Sequence, residues 1–149
     1  MRDEVKLKLK PIGVIHSPYR KIEETPIQGW KSKGRGEIEV FEEYVDGLKD
    51  IEGFSHIIIL YLFHKSKGFS LLVRPFLDET KRGVFATRSP RRPNLIGLSV
   101  VELLGRERNI LLVEGMDVLD GAPLLDIKPY VPAFDYRERT KIGWLEDKI

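Results

Sequence analysis

The sequence predicts an all-β fold, a small closed or partly open β-barrel with long functional loops and no Rossmann unit, and three observations predict it. Short alternating or β-branched runs recur along the chain, Gly and Pro turn signals separate them, and no window of a dozen residues carries a helical period. The 149 residues make one domain, 1–149, with no internal repeat, linker or low-complexity tract. A chain of this size buries roughly 70% of the surface it exposes when unfolded, enough for a real core.

Taken in order, Val5 to Ile15 alternates as a first strand, with Pro11 marking an edge position or a bulge. Ser17 to Arg35 is a long polar loop holding Pro18, Pro26, Gly29 and Gly34, and loops of that length are usually functional or disordered. Gly36 to Phe41 alternates again. Glu42 to Gly53 carries a turn signal at Asp46-Gly47 and a possible helical turn ending at Gly53. Phe54 to Phe63 is nearly all apolar, which predicts a central strand buried on both faces, with His56 held there by a backbone partner. Leu71 to Arg74, stopped by Pro75, and Val84 to Thr87 are short strands. Ile96 to Leu104, Ile110 to Glu114 and Leu125 to Lys128 complete the set, with a hairpin turn across Gly105 to Asn109.

Composition excludes several classes. With 42% hydrophobic and 32% charged residues the chain is neither disordered nor membrane-spanning; its longest apolar run, Ile57 to Phe63, is far short of a bilayer. The N-terminal MRDEVKLKLK has no apolar signal core, so the expected compartment is cytoplasmic. The absence of cysteine removes disulfides, zinc fingers and thiol catalysis. Three dispersed histidines (His16, His56, His64) form no ligand spacing, so no metal is expected. Gly34-Arg-Gly36 lacks a third glycine and runs into a strand, which excludes a dinucleotide fingerprint.

Charge is unevenly placed. Net charge is +2, yet Glu37 to Glu52 holds seven acids and one base, while Thr80 to Val101 holds Lys81, Arg82, Arg88, Arg91 and Arg92 with no acid. Such a stretch is either a solvated face or a polyanion site.

Two segments carry chemistry. In Phe85-Ala-Thr-Arg-Ser-Pro-Arg-Arg-Pro-Asn-Leu-Ile-Gly-Leu-Ser99, Pro90 and Pro93 stiffen a loop of arginines, which lowers the entropy lost when a guanidinium takes a phosphate or carboxylate. In Leu119-Asp-Gly-Ala-Pro-Leu-Leu-Asp-Ile-Lys-Pro-Tyr130, a tight turn at Asp120-Gly121 is expected to expose backbone N–H groups. A strand then presents Asp126 and Lys128 on one face, as a surface ion pair or as part of a site with Tyr130 and Asp135.

ATRSPRRPNLIGLS and LDGAPLLDIKPYVP closely resemble the two signatures of the TrmO-type (TsaA-like) tRNA methyltransferases. IGVIHSPYR, the PIQG loop and FSHIIILYLFH match in order, so the resemblance runs from about Pro11 to Asp135. It implies a β-barrel, a homodimer, and methyl transfer from S-adenosylmethionine to N6 of threonylcarbamoyl-adenosine beside the anticodon of tRNA. By position it implies cofactor contacts from Pro26, Ile27 and Gln28, from His64 and Lys65, from Arg88 and Leu98, and from Leu119, Asp120, Gly121 and Ala122. In that frame Arg88 takes the methionine carboxylate and backbone at Asp120-Gly121 bonds the adenine edge. Asp126 and Asp135 are candidate proton acceptors, Tyr130 stacks on or orients the base, and Lys128 holds the threonyl carboxylate. Lys81, Arg82, Arg91 and Arg92 are the expected tRNA phosphate contacts. Two departures stand out: Ala122 occupies a position where the family usually has threonine, and the chain stops soon after Asp135, short of the bacterial members' C-terminal extension. The competing readings are a barrel module that binds S-adenosylmethionine or RNA without catalysis, and a methyltransferase of the same family with another substrate.

Overall fold

The computed structural model describes residues 5–26 and 33–149. Eight strands appear among them: β1 (Gly13–His16), β2 (Arg35–Val40), β3 (His56–Leu62), β4 (Leu72–Val73), β5 (Arg82–Gly83), β6 (Ile96–Glu107), β7 (Ile110–Glu114) and β8 (Pro123–Pro129). Six of them close a barrel in the order β1-β2-β7-β6-β3-β8, with β8 pairing back onto β1 and every pair antiparallel. Closure removes the sheet edges that would otherwise invite pairing with another chain. The helices are short: α1 (Pro132–Asp135) and several single 3-10 turns.

Alternation along the strands fills the interior. Ile15, Ile38, Ile57, Ile59, Val101, Leu111, Val113 and Leu124 all point inward and are almost fully buried. The long β6 serves two neighbours, pairing with β3 through Glu102 and with β7 from Glu102 onward, past an irregularity between Leu103 and Gly105. Gly97 lets it pass close to β3: a Cβ there would lie 2.4 Å from the Tyr61 ring. One end of the barrel is closed by 3-10 turns at Glu42–Leu48 and Ile51–Gly53, with Leu48 entering the core. At the other end the segment 115–122 brings Met116, Val118 and Ala122 into the same core.

Four expectations are corrected. Val5 to Lys10 is exposed and outside any strand, and β1 begins only at Gly13, because the closed barrel leaves no edge for a longer strand to join. The β3 strand is buried on one face only. A single sheet curled on itself covers its inside, and Ile58, Leu60 and Leu62 form a half-covered outer wall. His56 lies there too, with its Nδ1 2.8 Å from the Ser55 hydroxyl and its ring edge-on to Tyr130 at 6.3 Å, so its partner is a side chain. In place of the strand Val84 to Thr87 there is a 3-10 turn, Val84–Ala86, capped by Thr87, since the neighbouring strand is formed by Arg82–Gly83 against Leu72–Val73.

Between β3 and β6 the chain leaves the barrel. This excursion, residues 66–95, contains the β4-β5 pair and two buried residues, Val73 and Val84, that lie outside the main core cluster. It returns through a backbone bond from Phe63 N–H to the Leu95 carbonyl, 2.8 Å.

Candidate functional site at one rim of the barrel

The turn of the second motif segment lies at the end of the barrel closed by residues 115–122, and the first motif segment enters β6 at that same end. There Leu119 to Ala122 forms the expected tight turn: Gly121 has φ +83, a left-handed conformation that suits glycine, and Ala122 N–H bonds the Leu119 carbonyl. The N–H groups are not exposed, however. Asp120 N–H donates to the Tyr19 carbonyl at 2.7 Å and Gly121 N–H to the Ile15 carbonyl at 2.8 Å, so the turn's donors lock it to β1 and the loop beyond. The Asp120 carboxylate accepts from Ser17 N–H at 2.9 Å, and the Ser17 hydroxyl donates to the Val118 carbonyl at 2.5 Å. The sequence correctly places a turn here but not its partners, which lie about a hundred residues away in the chain.

His64, just past the end of β3, stands over this turn: a Cβ on Gly121 would be 3.8 Å from its Nε2. Its Nδ1 is buried and has no hydrogen-bond partner among the described residues. Burial, with the Lys65 charge beside it, holds the imidazole below its ordinary pKa, so the neutral ring is favoured at neutral pH. Lys65 is exposed. An unpartnered ring nitrogen at a rim is an open valence for a polar ligand.

Arg88 is exposed and has no hydrogen bond or ion pair among the described residues. Its charge reaches a buried chain that motif reading missed. The Ser99 hydroxyl donates to Asp117 Oδ1 at 2.6 Å and shares a 2.9 Å bond with the Tyr61 hydroxyl. Burial pushes both the Tyr61 phenol and the Asp117 carboxyl above their ordinary ranges, and Arg88 partly opposes this in each. A signal for Asp117 existed: it begins the Asp-Val-Leu-Asp run that leads into the turn.

The remaining candidates are dispersed. Pro26 is half-buried, and Ile27 and Gln28 lie outside the described residues. Leu98 lies on the outer wall, paired with Leu60. Asp126 also pairs with Leu60 and Lys128 with Ile58, so both share that wall, where Lys128 Nζ is 3.0 Å from Asp126 Oδ2. Asp135 accepts from Val131 N–H at 2.8 Å across the α1 turn, and Tyr130 lies against His56. Among the basic residues, Arg82 is bound to Asp78, and Arg92 Nη1 donates to the Thr87 and Ser89 carbonyls at 3.1 and 3.0 Å. Lys81 and Arg91 are exposed. The described residues hold no group of three metal-ligating side chains and no helix long and apolar enough to cross a membrane.

A single-sheet barrel whose two polar signature segments converge at one end belongs to a class apart from the Rossmann enzymes. Residues 14–136 match the family model for the tRNA-methyltransferase O N-terminal domain, and the chain belongs to that TrmO family. It is 57% identical over 141 residues to a probable S-adenosyl-L-methionine-binding protein of Pyrococcus abyssi, covering 94% of this chain and 77% of that protein. It is 41% identical over 132 residues to the tRNA (adenine(37)-N6)-methyltransferase of Escherichia coli, covering 81% of this chain and 56% of that one. A crystal structure of TrmO from Pseudomonas aeruginosa superposes with a TM-score of 0.78 at 36% identity, over 94% of this chain and 63% of that one. The chain thus spans about three fifths of the length of these two enzymes.

Proposed function

We propose that this chain is an S-adenosylmethionine-dependent methyltransferase that modifies N6 of an adenosine beside the tRNA anticodon, with threonylcarbamoyl-adenosine as acceptor. The observation that carries the reading is His64 standing over the Leu119–Ala122 turn at one rim, with the Arg88 charge acting on Tyr61 and Asp117, in a barrel whose family is named for tRNA methylation.

The residues at the rim fit the methyl donor. Arg88, without a partner of its own, suits a carboxylate; the unpartnered His64 Nδ1 suits a polar group of the ligand; Leu119 and Pro26 supply apolar contact. Because the Asp120, Gly121 and Ala122 N–H groups and the Leu119 and Ala122 carbonyls are engaged, the turn's contribution to an adenine edge is left to the Asp120 and Gly121 carbonyl oxygens. When bound, S-adenosylmethionine supplies a methyl group on a sulfonium whose departure as a neutral thioether needs no acid. The protein's tasks are to align donor and acceptor and to receive one proton. Lys128 is assigned to the threonyl carboxylate and Asp126, beside it, to the proton. Asp135 is the second candidate; each carboxylate already accepts one backbone N–H, Asp126 from Ile127 and Asp135 from Val131, and only Asp126 lies beside Lys128. Tyr130, assigned to orienting the base, lies beside His56 at the start of β3, the opposite end of that strand from His64. Of the basic residues Lys81 and Arg91 are the better phosphate contacts, since Arg82 and Arg92 are bound within the chain.

The outer wall formed by Ile96, Leu98 and Val100 on β6 and Ile58, Leu60 and Leu62 on β3 supports a homodimer through this face, because an apolar sheet surface of this extent favours a partner. A cytoplasmic location accords with a tRNA substrate.

Mass spectrometry of nucleosides from tRNA incubated with protein and S-adenosylmethionine tests the reading. Methylated threonylcarbamoyl-adenosine should appear, and tRNA lacking the threonylcarbamoyl group should stay unmodified. Equal methylation of both would remove the acceptor assignment. Donor binding without methylation of any tRNA would favour the non-catalytic module that the Pyrococcus relative's name allows.

A further inference from the structure

The excursion that carries Arg88 is held from outside by a segment beyond the family match. In the 3-10 turn Gly143–Leu145, Trp144 Nε1 donates to the Ala86 carbonyl at 2.8 Å, and Arg82 lies over its ring, 5.6 Å from the centroid. Arg82 in turn grips Asp78 with Nε and Nη2 at 2.7 and 2.5 Å, and the Asp78 side chain is only 9% exposed. Lys148, from the same terminal segment, helps hold the Asp78 carboxyl below its ordinary pKa, after the larger effect of Arg82. Ala86 is two residues before Arg88. Arg92 binds the carbonyls of Thr87 and Ser89, so the residues on both sides of Arg88 are anchored while its own guanidinium has no partner among the described residues. Trp144 adds a further anchor one residue upstream of Thr87, at the Ala86 carbonyl. Residues 137–149 lie outside the matched 14–136, so this device belongs to this chain's terminal segment and not to the part that defines the family.

We propose that Trp144 is a positioning residue for methyl-donor binding, holding the Arg88 loop through the Ala86 carbonyl and the Arg82 guanidinium. This rests on reading Arg88 as the partner of the donor's carboxylate. A loop held in its bound conformation loses less entropy on binding, so removing the anchor weakens affinity without removing a contact to the ligand. The indole supplies both a ring face and an N–H donor, whereas phenylalanine supplies only the face.

Calorimetric titration of S-adenosylhomocysteine into the full-length protein tests this with Trp144→Ala, Trp144→Phe, Arg88→Ala and the Trp144→Ala/Arg88→Ala double variant. Trp144→Ala should weaken binding roughly tenfold, and Trp144→Phe by less. The double variant should bind no more weakly than Arg88→Ala alone, because an anchor for an absent guanidinium has nothing to position. Far-UV circular dichroism should show the barrel intact in each case; if Trp144→Ala fails that check, the Phe variant carries the comparison. Losses that add in the double variant, or wild-type affinity in Trp144→Ala, overturn the positioning role. Wild-type affinity in Arg88→Ala instead removes the carboxylate assignment beneath it, a distinct failure.

Discussion

The barrel wall and the 66–95 excursion are held together by different means. In the barrel every strand has two hydrogen-bonded neighbours and its inward side chains share one core. The excursion has a two-residue strand pair, two buried valines, the Asp78–Arg82 ion pair and scattered backbone and side-chain bonds to loop carbonyls. The first arrangement is cooperative and stiff; the second can open locally without disturbing its host. Arg88 sits on the second and His64 with the Leu119–Ala122 turn on the first, so the proposed site joins a rigid half to an adjustable one.

The largest expected effect is in the wall. Ile59→Ala, at a fully buried position, should cost about 2–5 kcal/mol of unfolding free energy, read by denaturant titration. Val84→Ala, equally buried, should lower global stability far less and instead speed amide hydrogen exchange across 66–95. Equal global losses from the two would mean that the excursion unfolds with the barrel, and the distinction would fall. Gly97→Ala is the next largest. The added methyl meets the Tyr61 ring at 2.4 Å and Phe63 at 2.8 Å, and should cost about 1–3 kcal/mol by overpacking.

The same division governs what the sequence made legible. Ile110–Glu114 is legible to the residue because a short alternating run between turn signals has few other uses. The Asp120-Gly121 turn was equally plain from its glycine. What sequence could not supply was anything fixed by distant partners. The turn's N–H groups looked available because Ile15 and Tyr19, which bind them, are far away in the chain. Val84 to Thr87 has strand-like residues but no strand beside it. The apolar run of β3 predicts burial on both faces because its composition reports hydrophobicity, not which layer covers it. Asp117 became visible only when Ser99 and Tyr61 closed around it.

Asp117 offers an intermediate test, on the rigid side of the site. Burial raises its carboxyl, while the Ser99 hydroxyl bond, its own N–H and the Arg88 charge pull it partly back; Tyr61 faces it through Ser99. For a raised acid, the stability it contributes is fully present below the unfolded value near 3.9 and is lost as pH rises through the folded value. Asp117→Asn should therefore gain on the wild type as pH rises from about 4, by about 1.4 kcal/mol for each unit of displacement. Parallel stability curves for the two proteins would show that this carboxyl is not displaced and that the network beneath Arg88 exerts no electrostatic strain on the wall.

The smallest effect on stability belongs to the outer wall, where Lys128 and Asp126 pair at 3.0 Å with side chains 61% and 44% exposed. Water screens such a pair, and its worth to folding is about 0–1 kcal/mol. Lys128→Ala should therefore leave the denaturation midpoint nearly unchanged, which makes it a clean probe: a loss of methylation in this variant cannot be traced to a damaged barrel. If Lys128 holds the threonyl carboxylate, the loss should appear in KM for threonylcarbamoylated tRNA, with donor affinity intact. Asp126→Asn keeps the shape of the pair and removes the proton acceptor, so it should lower kcat instead. If the two residues serve only each other, neither variant will change either constant, and a double-mutant cycle on stability will return the whole of their interaction. That outcome would take both residues out of the site and leave this wall to the second subunit alone.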